Sequence, residues 1–365
     1  MAVTLSLADR RLRNQGIARP LQRTPEDVVA WFGAVQAQEY QHAKWGLGLR
    51  LPAGATSASI EQAFAQGRIL RTHVMRPTWH FVTPDDIRWM LELTAPRVRQ
   101  TMAIYAKNLG LDATVQARAT RLIERALAGG RPLTRPELGS RLARGGIPFS
   151  GMPLALLTMY AEIDGVICSG PMRGRHVTYA LLAERAPHAR RLTRDEALAE
   201  LTTRFIRSHG PATIRDFVWW SGLTTLDARR GLEMVRAQSD TVNGFTYWIP
   251  DRTTPATRAI GHGAHLLPIY DEYLVSYRDR DAVPHGPAKI RSGTTSVTFQ
   301  HAAVVGGQVA GTWRTSFGAD APVVTVFPLK RLTPGDRRAI TDAAARYERF
   351  LGAPVRLVLN APVTS

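Results

Sequence analysis

The stretch Ala34-Val35-Gln36-Ala37-Gln38-Glu39-Tyr40-Gln41-His42-Ala43-Lys44-Trp45 concentrates uncharged hydrogen-bonding side chains directly behind an amphipathic segment. In that segment, Thr24 can cap a helix that begins at Pro25. Apolar residues recur along one side of the helix, at Val28, Trp31, Phe32 and Val35. The pattern predicts a helix that ends near Gln36, with the polar stretch following it.

Gln36 and Gln38 are separated by a single residue. On a regular α-helix, residues i and i+2 point roughly 200° apart, so both can face one pocket only where the backbone leaves helical geometry. A helix end that meets a loop satisfies this condition, and we interpret the pair as an active site. The alternative is that both glutamines are solvated polar residues near a helix terminus.

Other segments accompany this pair along the chain: Lys44-Trp45-Gly46-Leu47-Gly48-Leu49-Arg50, Arg76-Pro77-Thr78-Trp79-His80 and Leu266-Leu267-Pro268-Ile269-Tyr270-Asp271-Glu272-Tyr273. Together with Gln36-Ala37-Gln38, they resemble the bacterial winged-helix DNA glycosylases of the AlkZ and YcaQ type, over nearly the whole chain. The signature of that family is a pair of polar residues around one spacer, Gln-x-Gln in the AlkZ branch and Gln-x-Asp in the other. This chain has the AlkZ form.

The composition indicates several folded modules and an anionic partner. The chain has 365 residues, of which 44% are hydrophobic, enough for folded cores in more than one domain. Its 47 basic residues against 30 acidic ones give a net charge of +17, which favours nucleic acid because lysine and arginine neutralise phosphate. Codon bias in a GC-rich genome is the alternative, but it accounts for the choice of arginine rather than for the excess of cations.

The sequence predicts no metal, no cofactor and no membrane span. Cys168 is the only cysteine and lies in an apolar run, so we expect neither a disulfide framework nor a cysteine-based zinc site. His262 and His265 lie three residues apart, but their glycine-rich surroundings argue against a metal site. The N-terminus lacks the apolar core of a signal peptide, and we expect a cytoplasmic, nucleoid-associated protein.

Helices followed by paired short strands recur along the chain and predict an α+β fold of three tandem winged-helix units around a DNA-binding channel. From Arg258 onward the pattern becomes that of strands, which predicts a small β-barrel or curved sheet. The predicted domains are residues 1–130, with the glutamine pair and a helical extension, 131–190, 191–255 and 256–365.

The resemblance implies the chemistry. A DNA glycosylase cleaves the bond between deoxyribose C1′ and a damaged base, and guanine alkylated at N7 is a cationic leaving group that needs no strong general acid. What remains is to place a water at C1′, and the match to the family motif assigns this to Gln36 and Gln38. The substrate is then double-stranded DNA with an alkylated purine, which includes cross-links and the bulky natural-product adducts of antibiotic self-resistance.

Other residues are candidates for support and for DNA binding. Asp271 and Glu272 could stabilise an oxocarbenium ion, or they could hold Arg76 or Arg278 in a structural salt bridge. His80 could orient Gln38 or contact phosphate, or it could be a structural histidine. The residues predicted to contact the DNA backbone are Arg76, Arg173, Arg175, Arg229, Arg230 and Arg278.

The main alternative is a non-enzymatic winged-helix regulator, which predicts a dimer, a palindromic site and no need for the glutamine pair. A nuclease would need clustered carboxylates for Mg²⁺, and only Asp271, Glu272 and Asp279 approach that arrangement. We favour a monomeric glycosylase.

Overall fold

The computed structural model describes residues 6–250, 262–278, 299–318 and 321–362, as a mixture of helices and sheets. Asp279 and residues 251–261 lie outside the described residues. The described helices are α1 Leu7–Asn14, α2 Pro25–Phe32, α3 Tyr40–Gly48, α4 Ser57–Ala65, α5 Ile87–Asn108, α6 Ala113–Leu127, α7 Arg135–Arg144, α8 Gly151–Ile163, α9 Leu182–Arg185, α10 Arg194–His209, α11 Ile214–Ser221, α12 Thr225–Met234, α13 Glu272–Val275 and α14 Pro334–Leu351. The described strands are β1 Val35–Gln36, β2 Leu70–His73, β3 Trp79–Val82, β4 Leu133–Thr134, β5 Ile167–Ser169, β6 Thr178–Leu181, β7 Gln238–Val242, β8 Phe245–Ile249, β9 Ala264–Leu267, β10 Ala302–Val305, β11 Gln308–Ser316, β12 Val323–Pro328 and β13 Arg356–Leu359.

Threonine side chains cap half of the fourteen described helices. A threonine at the N-cap accepts a hydrogen bond from the backbone N–H three residues on, which satisfies one of the amides that the first turn leaves unpaired. This cap is present at Thr24, Thr56, Thr134, Thr193, Thr213, Thr224 and Thr333.

The helix before the glutamine pair is shorter than the sequence predicts. Helix α2 ends at Phe32, and Gly33 follows it with a φ of 88°, a conformation that glycine adopts without steric cost. The chain then enters β1, which pairs antiparallel with β3. The predicted helix end near Gln36 is therefore wrong, since α2 ends at Phe32. The expected loop is present, but it is short, because helix α3 begins at Tyr40.

One topology recurs in the first three quarters of the chain. In the first unit, the short strand β1 lies between two helices and pairs with β3, giving a sheet of order β1-β3-β2. The second unit repeats this with the order β4-β6-β5, and the third has the β7-β8 pair with a bridge between Ala212 and Trp248 in the place of the short strand.

The C-terminal region is an open sheet. Its five described strands have the order β13-β12-β11-β10-β9, so β9 and β13 are edges and the described strands form no closed barrel. Four of the strands pair antiparallel, and only β12 and β13 pair in parallel, through helix α14. Of the two shapes that the sequence predicts, the barrel is not present in this sheet.

The cores place β1 at a junction. One apolar core joins the first unit to the C-terminal sheet and includes Val35, Phe81 and Leu266. A second core joins the other face of the same small sheet to α5 and the third unit, and includes Ala34, Leu70 and Trp220. A third core lies within the second unit and the end of α5. The backbone that carries Gln36 therefore lies between two apolar cores.

Candidate active site

The two glutamines lie where the chain passes from strand β1 toward helix α3. The extended backbone continues past β1, because the N–H of Ala37 donates to the carbonyl of Trp79 at 2.7 Å. Gln36 ends β1, and Gln38 lies in the bend between β1 and α3, so neither residue is helical. The condition stated from the sequence, that the backbone leaves helical geometry at this pair, is therefore met. That the two side chains face one pocket stays a prediction.

The carboxamide of Gln36 is buried and held at its oxygen. Nη2 of Arg76 donates to Oε1 of Gln36 at 3.2 Å, and the backbone N–H of Gln36 donates to Oε1 of Glu272 at 2.6 Å. Since a guanidinium has only donors, the contact with Arg76 fixes which end of the carboxamide is the oxygen.

The carboxamide of Gln38 is half-buried and is oriented in a similar way. The backbone N–H of Trp79 donates to its Oε1 at 3.3 Å. Arg71 donates to the carbonyl oxygens of Ala37 and Gln38, at 2.9 and 3.1 Å, and its guanidinium lies 4.2 Å from the centroid of the Trp79 ring. Arg71 thereby fixes the backbone of the motif. Arg71 is not predicted from the sequence, since no local pattern distinguishes it from the many other arginines.

Glu272 lies behind Gln36 as a buried carboxylate. In addition to the amide of Gln36, it accepts from Nε1 of Trp220 at 3.1 Å, from Nε2 of His209 at 3.3 Å and from the hydroxyl of Ser276. Burial alone would raise the pKa of Glu272, but the hydrogen bonds from His209, Ser276 and Gln36 outweigh it and lower the pKa to about 2. The carboxylate is ionised at neutral pH and fully engaged by the protein.

Asp271 has a structural partner that the sequence analysis did not consider. Both of its oxygens accept from Arg50, at 2.8 and 2.9 Å, and its side chain also caps α13 through the N–H of Tyr273. The salt bridge is buried on both sides. The predicted alternative of a salt bridge was right in kind but wrong in partner, since neither Arg76 nor Arg278 forms it.

His80 is fully buried and neutral. It lies opposite Gln36 in the β1–β3 register, and opposite Thr72 in the β2–β3 register, so the three residues form one row across the sheet. Its Nδ1 donates to the carbonyl of Thr78 at 2.9 Å, and burial, together with the charge of Arg76, lowers its pKa to about 3. Nε2 of His80 and the hydroxyl of Thr72 have no hydrogen-bond partner among the described residues. The burial of His80 excludes direct contact with phosphate in this conformation.

The predicted DNA-binding arginines are in different environments. Arg173 is paired with Glu137 at 2.8 Å and Arg230 with Asp195 at 2.6 Å. The guanidinium of Arg278 lies 5.3 Å from the ring centroid of Trp219. Arg175 and Arg229 are exposed and form no ion pair or hydrogen bond with the described part of the chain. Of these six predicted arginines, Arg76 is the one whose side chain bonds to a glutamine of the pair in the described structure.

Within the described ranges, no group of three or more histidine, cysteine, aspartate or glutamate side chains could hold a metal ion. Nε2 of His262, a candidate weighed from the sequence, pairs with Asp336 at 2.6 Å. Among the residues that the structure covers, no helix has the length and hydropathy needed to cross a membrane.

The chain is similar in sequence and in structure to known DNA glycosylases. A family model described as DNA glycosylase AlkZ-like matches residues 29–350. An interstrand DNA cross-link repair glycosylase of Streptomyces sahachiroi is 27% identical over 371 residues, which cover 95% of this chain and 97% of the relative. The solved structure of the S. sahachiroi DNA glycosylase AlkZ matches with a TM-score of 0.77 at 24% identity, over 96% of this chain and 98% of the other. The structural match shows that the two proteins share one mixed α+β fold.

Proposed function

The chain belongs to the AlkZ-like family of DNA glycosylases, and from this premise we propose that it hydrolyses the N-glycosidic bond of N7-alkylated purines in double-stranded DNA. Gln36 and Gln38 hold the water that attacks deoxyribose C1′. The alkylated purine carries a positive charge before cleavage and leaves as a neutral base. The water loses a proton as its oxygen bonds to C1′, so the products are the free base, an abasic site and a proton.

The observation that carries this proposal is the pair of oriented carboxamides. Each side-chain oxygen accepts one hydrogen bond from the protein, which leaves each glutamine with one acceptor lone pair and two amide hydrogens. Two such groups on one face can bind a water through both its hydrogens and its oxygen. A preoriented nucleophile removes much of the entropic part of the barrier.

A neutral carboxamide is a weak base, and this property sets the substrate. Without a strong base or acid, catalysis is limited to bonds that are already labile, such as those to a cationic purine. Normal nucleotides, whose leaving bases are not cationic, are then spared. This selectivity does not require the site to recognise the adduct itself.

The acidic residues beside the pair have supporting roles in this proposal. Glu272 provides a permanent negative charge behind Gln36 that partly offsets the charge of Arg76, but its oxygens are engaged by protein donors and it does not touch the sugar. Asp271 supports the site through Arg50 and by capping α13, the helix that carries Glu272. His80 pairs with Gln36 in the β1–β3 register and, with a pKa of about 3, does not act as an acid at neutral pH.

The adducts proposed as substrates share a cationic N7-alkylpurine. They include small N7-methyl lesions, cross-links between purines and bulky natural-product adducts. The relative named for interstrand cross-link repair favours the cross-links. If the alkylating agent is a metabolite that the host bacterium itself produces, removal of its adducts would give that bacterium self-resistance.

The recurring units are proposed to be winged helices that line a DNA-binding channel. The short strand between two helices, paired with the last strand of the unit, supports this for both three-stranded sheets. Arg175 and Arg229 are the best candidates for phosphate contact, because they are exposed and unpaired in the described structure. We further propose a monomer that acts in the cytoplasm near the nucleoid.

The test is incubation with duplex DNA containing N7-methylguanine, with and without EDTA. Release of the free base in EDTA by the parental protein, and its loss in Gln36→Ala and Gln38→Ala, is the expected result. Metal-dependent strand cleavage would instead indicate a nuclease. Tight binding to one palindrome without product would indicate a regulator.

A further inference from the structure

We propose that Arg76 is a positioning residue for Gln36, and that a strained turn held by the third unit keeps Arg76 in place. This role rests on the function proposed above, since it serves a carboxamide that holds the attacking water. It differs from the phosphate contact that the sequence predicts for Arg76. The two roles predict different effects on binding and on chemistry.

The hydrogen bond to Gln36 decides what that side chain offers to a water. A carboxamide can rotate by half a turn about its last bond, which exchanges its acceptor oxygen for its donor nitrogen. Nη2 of Arg76 lies 3.2 Å from Oε1, and a guanidinium can only donate. The rotated carboxamide would set two donors against each other. Arg76 therefore directs the NH₂ group and the remaining lone pair of Gln36 away from itself, in one fixed arrangement.

The turn that carries Arg76 is strained. Met75 has a φ of 64°, a left-handed value that residues other than glycine rarely adopt. The N–H of Arg76 donates to the carbonyl of Val74 at 2.7 Å, which closes a three-residue turn around Met75. The N–H of Met75 is held by the hydroxyl of Thr94 on α5 at 3.0 Å. Strain of this kind persists only where the surroundings enforce it, and it concentrates at functional sites.

The third unit braces the same turn. Gly222 ends α11 with a φ of 70° and packs so closely that a β-carbon there would overlap the carbonyl oxygen of Met75. Glycine satisfies both the backbone conformation and the close approach. Three parts of the molecule, β2–β3, α5 and α11, thus fix the direction in which Arg76 leaves the backbone.

The environment of Arg76 suits this role better than contact with DNA. Its side chain is partly buried, and burial lowers its pKa, opposed by the negative charge of Glu272. Gln36 lies between these two charges, with Arg76 at its side-chain oxygen and Glu272 at its backbone amide. Arg229, by contrast, is exposed and unpaired in the described structure, as a phosphate contact requires.

The test uses Arg76→Met, Arg76→Lys, Gln36→Ala and the double variant Arg76→Met/Gln36→Ala. We expect Arg76→Met to lower the single-turnover excision of N7-methylguanine at saturating protein on the order of tenfold to a hundredfold, without a change in affinity for undamaged duplex or in its salt dependence. In the Gln36→Ala background the same change should have no further effect, because the carboxamide is already absent. Arg76→Lys keeps the charge but loses the guanidinium, so its excision should also fall.

Two further variants serve as controls. Arg229→Met removes an exposed cation and should weaken affinity for undamaged duplex and lower its salt dependence, which is the pattern that a lost phosphate contact produces. Thr94→Val removes the hydrogen bond to Met75 at nearly constant volume and should reproduce part of the excision loss, again only when Gln36 is present. It replaces Arg76→Met if that variant does not fold, as judged by its melting temperature.

A weakened and less salt-dependent affinity of Arg76→Met, with parental excision at saturation, would overturn the positioning role in favour of a phosphate contact. Losses in Arg76→Met and Gln36→Ala that multiply in the double variant would also overturn it, since the two residues would then act independently. Parental excision by Gln36→Ala is a different failure, because it would refute the proposed function of the glutamine pair itself.

Discussion

The small sheets of the first and second units have the same topology but use it differently. Each has a two-residue strand that pairs with the last strand of its unit. Gln36 ends the first of these short strands, opposite His80, and Thr134 ends the second, opposite Thr178. The same position in the fold thus carries a glutamine of the proposed active site in one unit and a helix cap in the other.

The polar groups of the second sheet are satisfied. Thr134 caps α7 at once and forms a reciprocal capping box with Glu137, and the hydroxyl of Thr178 donates to the carbonyl of Pro171 at 2.6 Å. In the first unit, residues 37–39 separate the strand from α3, and the N-cap residue Glu39 makes no side-chain capping bond. A segment that lacks such local hydrogen bonds is expected at a functional site, because residues there are selected for their role in the reaction rather than for stability.

The largest effect is expected from the glutamines themselves. Gln36→Ala and Gln38→Ala should each lower single-turnover excision of N7-methylguanine on the order of tenfold to a thousandfold, because a misplaced nucleophile costs rate and not fold. The double variant should lose less than the product of the two, since both residues hold one water. Melting temperature and affinity for undamaged duplex, measured alongside, should stay near the parental values. Parental excision by both single variants would return the pair to solvated polar residues.

A carboxylate at the second glutamine should have a smaller effect. Gln38→Asp keeps an oxygen acceptor, and Gln-x-Asp is the form of the sister branch that the sequence resembles. We therefore expect Gln38→Asp to retain more excision than Gln38→Ala in the same single-turnover assay. If the aspartate variant were the slower of the two, donation by the NH₂ group of Gln38 would be its essential contribution.

Much of this fold could be predicted because its signals are local. Thr24, Thr134 and Thr333 mark helix starts through caps that depend on residues three positions away, and the structure contains all three. The Gly306-Gly307 turn between two apolar strands likewise joins β10 to β11 as expected. Signals of this kind need no knowledge of distant partners.

Strand β1 could not be predicted from the sequence, and there is a physical reason for this. Val35 continues the helical spacing of the apolar residues before it, while its strand conformation depends on pairing with Phe81 far along the chain. The partners of the acidic residues are equally remote, since Arg50 and Asp271 lie 221 positions apart. Composition indicates that the arginines outnumber the acids, but it does not indicate which arginine is buried with which acid.

Exposed cations should affect binding modestly and catalysis not at all. Arg175→Ala and Arg229→Ala should each weaken affinity for undamaged duplex several-fold and reduce the slope of log affinity against log salt by about one unit, as for one lost phosphate contact. Affinity titrations over a range of salt concentrations measure both quantities. A parental slope in both variants would place the DNA on a different surface, and preference for one palindrome would favour a regulator.

Thr134, the N-cap of α7 in the second unit, tests the other side of the comparison, because its role is structural. Thr134→Ala should lower the free energy of unfolding by about 1 kcal/mol, because the first turn of α7 loses its capping oxygen. Excision by the folded protein should not change, although Thr134 occupies the position that Gln36 has in the first unit. Chemical denaturation measures the loss of stability, and a single-turnover assay measures excision. If excision falls by more than the fraction of unfolded protein accounts for, the second sheet also contributes to catalysis.

The smallest expected effect is that of pH on excision, which should be nearly flat between pH 6 and 8. Carboxamides do not titrate, and the pKa values of Glu272, about 2, and His80, about 3, lie far below this range. Stability should depend on pH only at low pH. Both pKa values are lower in the folded state than in the unfolded state, so protons bind the unfolded state more tightly and stability falls as the pH drops. This loss should begin below about 6.5 through His80 and continue below about 4.5 through Glu272. Single-turnover rates and melting temperatures across this range separate the two behaviours. A rate that rises tenfold per pH unit between 6 and 8 would require a titrating base in the reaction, and the carboxamide pair could then no longer be the only groups that act on the water.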